Sequence, residues 1–150
     1  MADIPCIPRT SVRTLPRSPS GWTMAVFGVL AAALGMLGLI APDALIAAMG
    51  FDSTAESHRA EGDHTLVFVT ASSMAAVNMG VYYVLASLAD WKPFFRWTVP
   101  FRLLTCAVFT LTVLSGRAPA GMIGVAVWEG LGAVVTGAAL RYEAKRDVRR

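Results

Sequence analysis

The segment Thr65–Ala89, TLVFVTASSMAAVNMGVYYVLASLA, decides the fold class because no charged side chain interrupts it. As a helix it would rise roughly 38 Å, at ~1.5 Å per residue, and a hydrocarbon core of ~30 Å is shorter than that. A bilayer core holds no water to satisfy backbone polar groups, so a run of this kind crosses it as a helix. The segment is therefore predicted to be a transmembrane helix that ends at Asp90.

Three further segments meet the same criterion. Trp22–Ala41 carries no charge, Thr98–Ser115 carries only Arg102, and Ala120–Leu140 carries only Glu129. They are rich in Ala, Leu, Val and Met, and they lack the alternation of a membrane β-strand. The sequence therefore predicts an all-α protein, a four-helix transmembrane bundle.

The predicted membrane domain covers residues 22–140. Residues 1–21 hold four prolines, which preclude a long helix, and we expect a disordered basic cytosolic tail there. This stretch resembles neither a mitochondrial presequence nor a secretory signal, so the first span is expected to act as an uncleaved signal anchor. Residues 141–150 are predicted to form a second basic cytosolic tail.

Composition agrees with a membrane protein and argues against nucleic-acid binding. Hydrophobic residues make up 55% of the chain and charged residues 15%, against about 25% charged in an ordinary soluble domain. The basic residues flank the spans, where anionic headgroups are closer than any nucleic acid. Membrane lipids are therefore the predicted partners.

The basic residues also predict the orientation of the bundle. Eleven lie on the side that holds both termini and the second loop, and two lie on the other side. By the positive-inside rule, both termini face the cytosol. The endoplasmic reticulum and the plasma membrane are both compatible with this topology.

The sequence predicts neither a metal site nor a cofactor. The outer loop Pro42–His64 contains His58, Glu61 and His64, but this spacing is no established ligand motif, and a solvated acidic loop is the better interpretation. Phosphate-loop, dinucleotide and nucleophile-elbow motifs are missing from the chain.

Polar residues at membrane depth are the candidates for function, because a charge there costs at least ~2.5 kcal/mol. The sequence separation of Glu129 from Arg141 equals that of Asn78 from Asp90, so Glu129 and Asn78 share a depth. Both are the candidate catalytic residues. Glu129 would be neutral at rest and would accept or donate a proton.

Tyr82, Arg102 and Thr105 are the candidate substrate-binding residues, which would complete a polar pocket open towards the cytosolic half. The alternative is that the same cluster only fixes helix packing, with Glu129 bonded to Asn78 or paired with Arg102. The residues leave both hypotheses open. Small residues at four-residue spacing similarly indicate either tight packing within one bundle or a homo-oligomer.

The general plan resembles small four-helix membrane families such as the DoxX-like proteins. The residues that carry the resemblance are Ala41-Pro42-Asp43 after a glycine-rich first span, the segment Arg59–Gly62 before the second span, and Trp128-Glu129 in the last span. The stretch Met74–Leu140 is also similar to membrane proteins encoded beside fungal secondary-metabolite genes. The resemblance implies no catalytic residue.

These observations lead to three functional hypotheses. The first is a protein that handles a lipophilic metabolite, by a proton-transfer step such as isomerisation or cyclisation or as an accessory in secondary-metabolite biosynthesis. The second is a small proton-coupled exporter. The third is a membrane scaffold that recruits pathway enzymes.

Overall fold

A computed structural model describes residues 15–51 and 62–149. The helices in these ranges are α1 (Pro19–Ile40), α2 (Pro42–Ala48), α3 (Thr65–Leu88), α4 (Lys92–Leu114) and α5 (Ile123–Val148). A short 3-10 turn, Ala120–Met122, leads directly into α5. The described ranges contain helices and no strand, which confirms the predicted all-α bundle of four long helices.

Four of these helices are long and apolar enough to cross a membrane. They are α1, α3, α4 and α5 with its preceding turn, with 22, 24, 23 and 29 residues. Large apolar side chains such as Val29, Leu111 and Val134 are more than half exposed on their outer faces. An apolar surface of this extent is unusual on a soluble monomer and fits one that is solvated by lipid.

Helix α1 begins three residues before the predicted span, because Ser18 and Pro19 form a strong helix start. Ser18 is extended and accepts a hydrogen bond from the backbone N–H of Gly21 at 3.0 Å, while Pro19 occupies the first helical position. Residues 19–21, expected in the disordered tail, are thus helical. Residues 15–18 precede the helix, and residues 1–14 of the predicted tail lie outside the described residues.

Helix α4 begins at Lys92, six residues before the predicted span. The charged and aromatic stretch Lys92–Trp97, which lies outside the predicted spans, forms the first six residues of the helix. Pro100 therefore lies inside α4. The turn before α4 is compact because Asp90 adopts a left-handed conformation with φ of 49°, which aspartate tolerates better than most residues.

Two further helical stretches extend beyond the predicted spans. Pro42, the residue after the first predicted span, begins the short helix α2. Helix α5 continues from the predicted boundary at Leu140 to Val148, so most of the expected C-terminal tail is helical. The membrane boundaries themselves remain predictions.

The helices pack as two antiparallel pairs, α1 with α3 and α4 with α5, and the pairs meet along α1 and α5. Glycines bring α1 and α3 into backbone contact. A Cβ on Gly80 would lie 2.5 Å from the carbonyl oxygen of Gly28, and one on Gly35 would lie 2.6 Å from that of Ser73. The small-residue spacing thus serves packing within one bundle at these positions.

A polar network closes the end of the bundle at which α1 begins. Glu143 of α5 accepts hydrogen bonds from the backbone N–H and the hydroxyl of Ser20, at 2.7 and 3.1 Å. Lys92 at the start of α4 forms ion pairs with Glu143 and Asp90 and donates to the Ser20 hydroxyl at 2.9 Å. The start of α1, the α3–α4 turn and the last part of α5 therefore lie at one end.

Candidate functional site

Arg102 of α4 occupies the place where the two helix pairs meet. Only 4% of its side chain is exposed, although it lies well inside a long apolar helix. Its Nε donates a hydrogen bond to Oε2 of Glu129 on α5 at 2.9 Å. The two charged side chains that the sequence places within membrane spans thus neutralise each other, as intramembrane charges usually do.

Aromatic rings from the other helix pair cover the guanidinium. Its central carbon lies 4.3 Å from the ring centroid of Phe27 on α1 and 5.6 Å from that of Tyr83 on α3. Phe27 also packs edge-on against Trp128, the residue before Glu129, with centroids 4.6 Å apart. Cation–π attraction to these rings adds to the ion pair.

Gly132 makes the space that the guanidinium occupies. A Cβ at this position would overlap Nη1 and the central carbon of Arg102, and it would come within 2.7 Å of Nη2. Gly132 lies nearly one turn after Glu129 on the same side of α5, so the carboxylate and the space for the guanidinium are presented together. The local sequence of α5 therefore provides both the carboxylate that pairs with Arg102 and the space that its guanidinium occupies.

Two polar atoms of the ion pair form no hydrogen bond with the described residues. Arg102 Nη1 is buried and has no hydrogen-bond partner among the residues that the structure describes. The side chain of Glu129 is 22% exposed, and no described residue donates to its other oxygen, Oε1. The pair therefore keeps one buried donor without a partner, beside a carboxylate that is partly exposed.

The structure does not bring all five predicted site residues together. Arg102 and Glu129 are in contact, but Asn78 and Tyr82 lie on the exposed face of α3. Thr105 donates its hydroxyl to the carbonyl of Phe101 in its own helix at 3.0 Å. Of the two partners left open for Glu129, the structure shows Arg102 and not Asn78, because α3 packs on α1 through its glycine face and turns Asn78 outward. The functional roles of the five residues remain predictions.

Tyr83, Phe27 and Gly132 are the neighbours of the charged pair that sequence reasoning did not select as site residues. Tyr83 lies close enough to interact electrostatically with both Arg102 and Glu129. A signal for Tyr83 was available, since it follows Gly80 by three residues and therefore shares the close-packed face of α3. Tyr82 lies one residue away, about 100° around the helix, and so points elsewhere.

A cavity of 460 Å³ separates the two helix pairs towards the other end of the bundle. We call it the inter-pair cavity; its lining includes Leu34, Leu45, Ser73, Ala76, Phe109 and Val125. All five helices contribute to this lining, which is almost entirely apolar. The hydroxyl of Ser73 is buried and has no hydrogen-bond partner within the described ranges.

No family model, curated protein or solved structure matches this chain. The resemblance to the DoxX-like plan therefore stays a prediction, and any function must be inferred from the geometry. That geometry shows a multi-pass membrane protein with a charged pair buried between its helix pairs. In the described part of the chain, no group of three or more His, Cys, Asp and Glu side chains is placed to hold a metal ion.

Proposed function

We propose that this membrane protein binds a lipophilic small molecule between its two helix pairs. The observation that carries the proposal is the inter-pair cavity, an apolar space of 460 Å³ to which all five helices contribute. Small-molecule sites commonly have volumes of about 300–1,000 Å³ and mostly apolar linings with a few polar groups. A lipophilic compound concentrates in the bilayer and would enter such a space laterally.

The position of Glu129 relative to the cavity supports a chemical role in addition to binding. Val125 lines the cavity and precedes Glu129 by four residues on the same face of α5, a rise of ~6 Å. A molecule with its apolar body in the cavity would hold a polar group near the Arg102–Glu129 pair. Glu129 Oε1 is then the acceptor for a proton-transfer step such as an isomerisation or cyclisation.

The binding step is tested with a defined probe, a diazirine-bearing C15 isoprenoid alcohol, on the protein in phosphatidylcholine nanodiscs. We expect irradiation to label peptides that contain Phe109 and Val125, and unlabelled farnesol to compete. Val125→Trp should fill the cavity and remove most of the labelling. Val127→Trp is the matched control, because Val127 is 53% exposed on the outer face and does not line the cavity. Equal labelling of both variants would refute the cavity as the binding site.

The role of the charged pair is tested with the Glu129→Gln and Arg102→Gln variants and with the double variant. Removing one partner of a buried pair leaves a charge unpaired and typically costs about 3–5 kcal/mol, whereas removing both costs less. If the pair only fixes packing, the double variant regains membrane level and stability together with a normal metabolite profile in the source organism. If Glu129 acts chemically, a lipophilic precursor accumulates even though the double variant is present at a normal level.

A further inference from the structure

A second apolar space, distinct from the inter-pair cavity, lies between α4 and α5 near the end of the bundle that holds the termini. It has a volume of 570 Å³ and is lined by Val99 and Leu103 of α4 and by Val134 and Gly137 of α5. We call it the α4–α5 groove. Val134 is 63% exposed and Leu103 is 48% exposed, so the groove faces the surrounding lipid.

Basic side chains line one end of the α4–α5 groove. Arg141 and Lys145 are four residues apart, which places them one above the other on one face of α5. Neither forms an ion pair within the part of the chain that the structure describes. Lys92, at the same end of the bundle, is instead paired with Glu143 and Asp90. The groove therefore presents two cations without a protein counter-charge.

The groove runs along α5 from apolar residues to these cations. Val134 precedes Arg141 by seven residues, a rise of ~10 Å, so the apolar part is deep enough to receive the upper part of an acyl chain. Gly137 lies between them, and a Cβ there would be 3.6 Å from a methyl carbon of Val99. The absence of a side chain at this position leaves the groove open. Tyr142 lies at the end of the groove, and tyrosine is enriched at the level of the lipid headgroups.

We propose that the α4–α5 groove binds one anionic phospholipid. An acyl chain lies along Val99, Leu103 and Val134, and the headgroup phosphate is held by Arg141 and Lys145. Charge complementarity selects an anionic lipid over a neutral one, because basic pockets between transmembrane helices bind acidic headgroups. The apolar part selects a lipid over free phosphate. This inference does not depend on the proposed ligand of the inter-pair cavity.

The test is native mass spectrometry of the full chain in mild detergent, with added phosphatidylserine or phosphatidylcholine of the same acyl composition. We expect a single phosphatidylserine molecule to be retained in preference to phosphatidylcholine. The variant Arg141→Gln/Lys145→Gln should weaken this retention about 25-fold, because each basic side chain near anionic headgroups strengthens binding about fivefold. Arg17→Gln/Arg117→Gln removes the same charge away from the groove, before α1 and in the connection after α4, and should retain the lipid.

The apolar part of the site is tested separately with Gly137→Leu. This variant keeps both cations but fills the groove, and it should lose the preference for a single phosphatidylserine. Gly124→Leu is its control, since a Cβ at Gly124 would meet nothing within 4 Å. Equal losses in the two charge variants would overturn the proposal in favour of diffuse attraction. Unchanged retention by Gly137→Leu, or protein dimers in place of the lipid adduct, would overturn the lipid groove.

Discussion

Replacement of Gly80 by alanine tests the closest contact between the two helices of the first pair. A Cβ on Gly80 would lie 2.5 Å from the carbonyl oxygen of Gly28, and 2.6 and 2.7 Å from the backbone nitrogen and Cβ of Ala32. Ordinary contacts of a Cβ begin at 3.4 Å. Helices α1 and α3 must therefore separate locally by about 0.9 Å, because the opposing atoms belong mainly to backbone and cannot rotate away.

The expected magnitude follows from two opposing effects. Alanine in a helix interior is favoured over glycine by about 0.8–1.0 kcal/mol. Overpacking of a well-packed contact typically costs about 1–3 kcal/mol, and separation of the helices also removes the dispersion contacts that neighbouring glycines make. The free energy of unfolding should therefore fall by up to about 2 kcal/mol.

The assay is unfolding in mixed micelles with increasing sodium dodecyl sulfate, followed by tryptophan fluorescence. Gly124→Ala is the matched control, because a Cβ there would meet nothing within 4 Å and only the helix preference changes. The control should be neutral or stabilised by up to about 1 kcal/mol. If Gly80→Ala is as stable as Gly124→Ala, the close packing of α1 on α3 is not a determinant of stability and the reasoning fails.

Three further predictions concern the topology and the two ends of the bundle. In a cysteine-free background, a membrane-impermeant maleimide applied from outside should label Ser115→Cys but not Val148→Cys; the reverse pattern would contradict the cytosolic placement of the termini. Glu143→Ala should cost about 1–3 kcal/mol in the same unfolding assay, because it removes the acceptor of the buried Ser20 N–H, whereas Glu143→Gln should cost less; equal losses would contradict the hydrogen-bond role. Gly121→Ala should destabilise the bundle by about 1–3 kcal/mol, since a Cβ there overlaps the backbone that follows α2, and stability equal to wild type would show that this contact yields freely.

The fold class could be predicted from the sequence because a bilayer imposes a simple rule. An uncharged run as long as Thr65–Ala89 indicates a segment that crosses the bilayer. Inside the bilayer no water can satisfy the backbone polar groups, so the segment must be a helix. Helix ends were harder to predict, because they depend on local interactions. Lys92 begins α4 where the Asp90 turn and the ion pair with Glu143 hold it, and a search for apolar runs detects neither.

The candidate site was predictable in part. Arg102 and Glu129 are conspicuous as lone charges in apolar helices, and their pairing was one of the alternatives that the sequence left open. Their neighbours were not predictable from depth alone. Residues at equal depth share a plane, but their side chains face each other only if the helices are rotated suitably, and Asn78 shares the depth of Glu129 without facing it.

By itself the sequence determined how many helices are long and apolar enough to cross a membrane, which charged residues lie within them and at which end of the bundle most basic residues lie. These properties depend on the transfer of each side chain from water to lipid, which is local to a segment. Only the tertiary structure decided that α1 packs on α3, that Tyr83 rather than Tyr82 faces Arg102, and where the inter-pair cavity and the α4–α5 groove lie. Lipid is as apolar as the helix surfaces, so helix partners are chosen by close packing at residues such as Gly80 and Gly132, which depends on both helices at once.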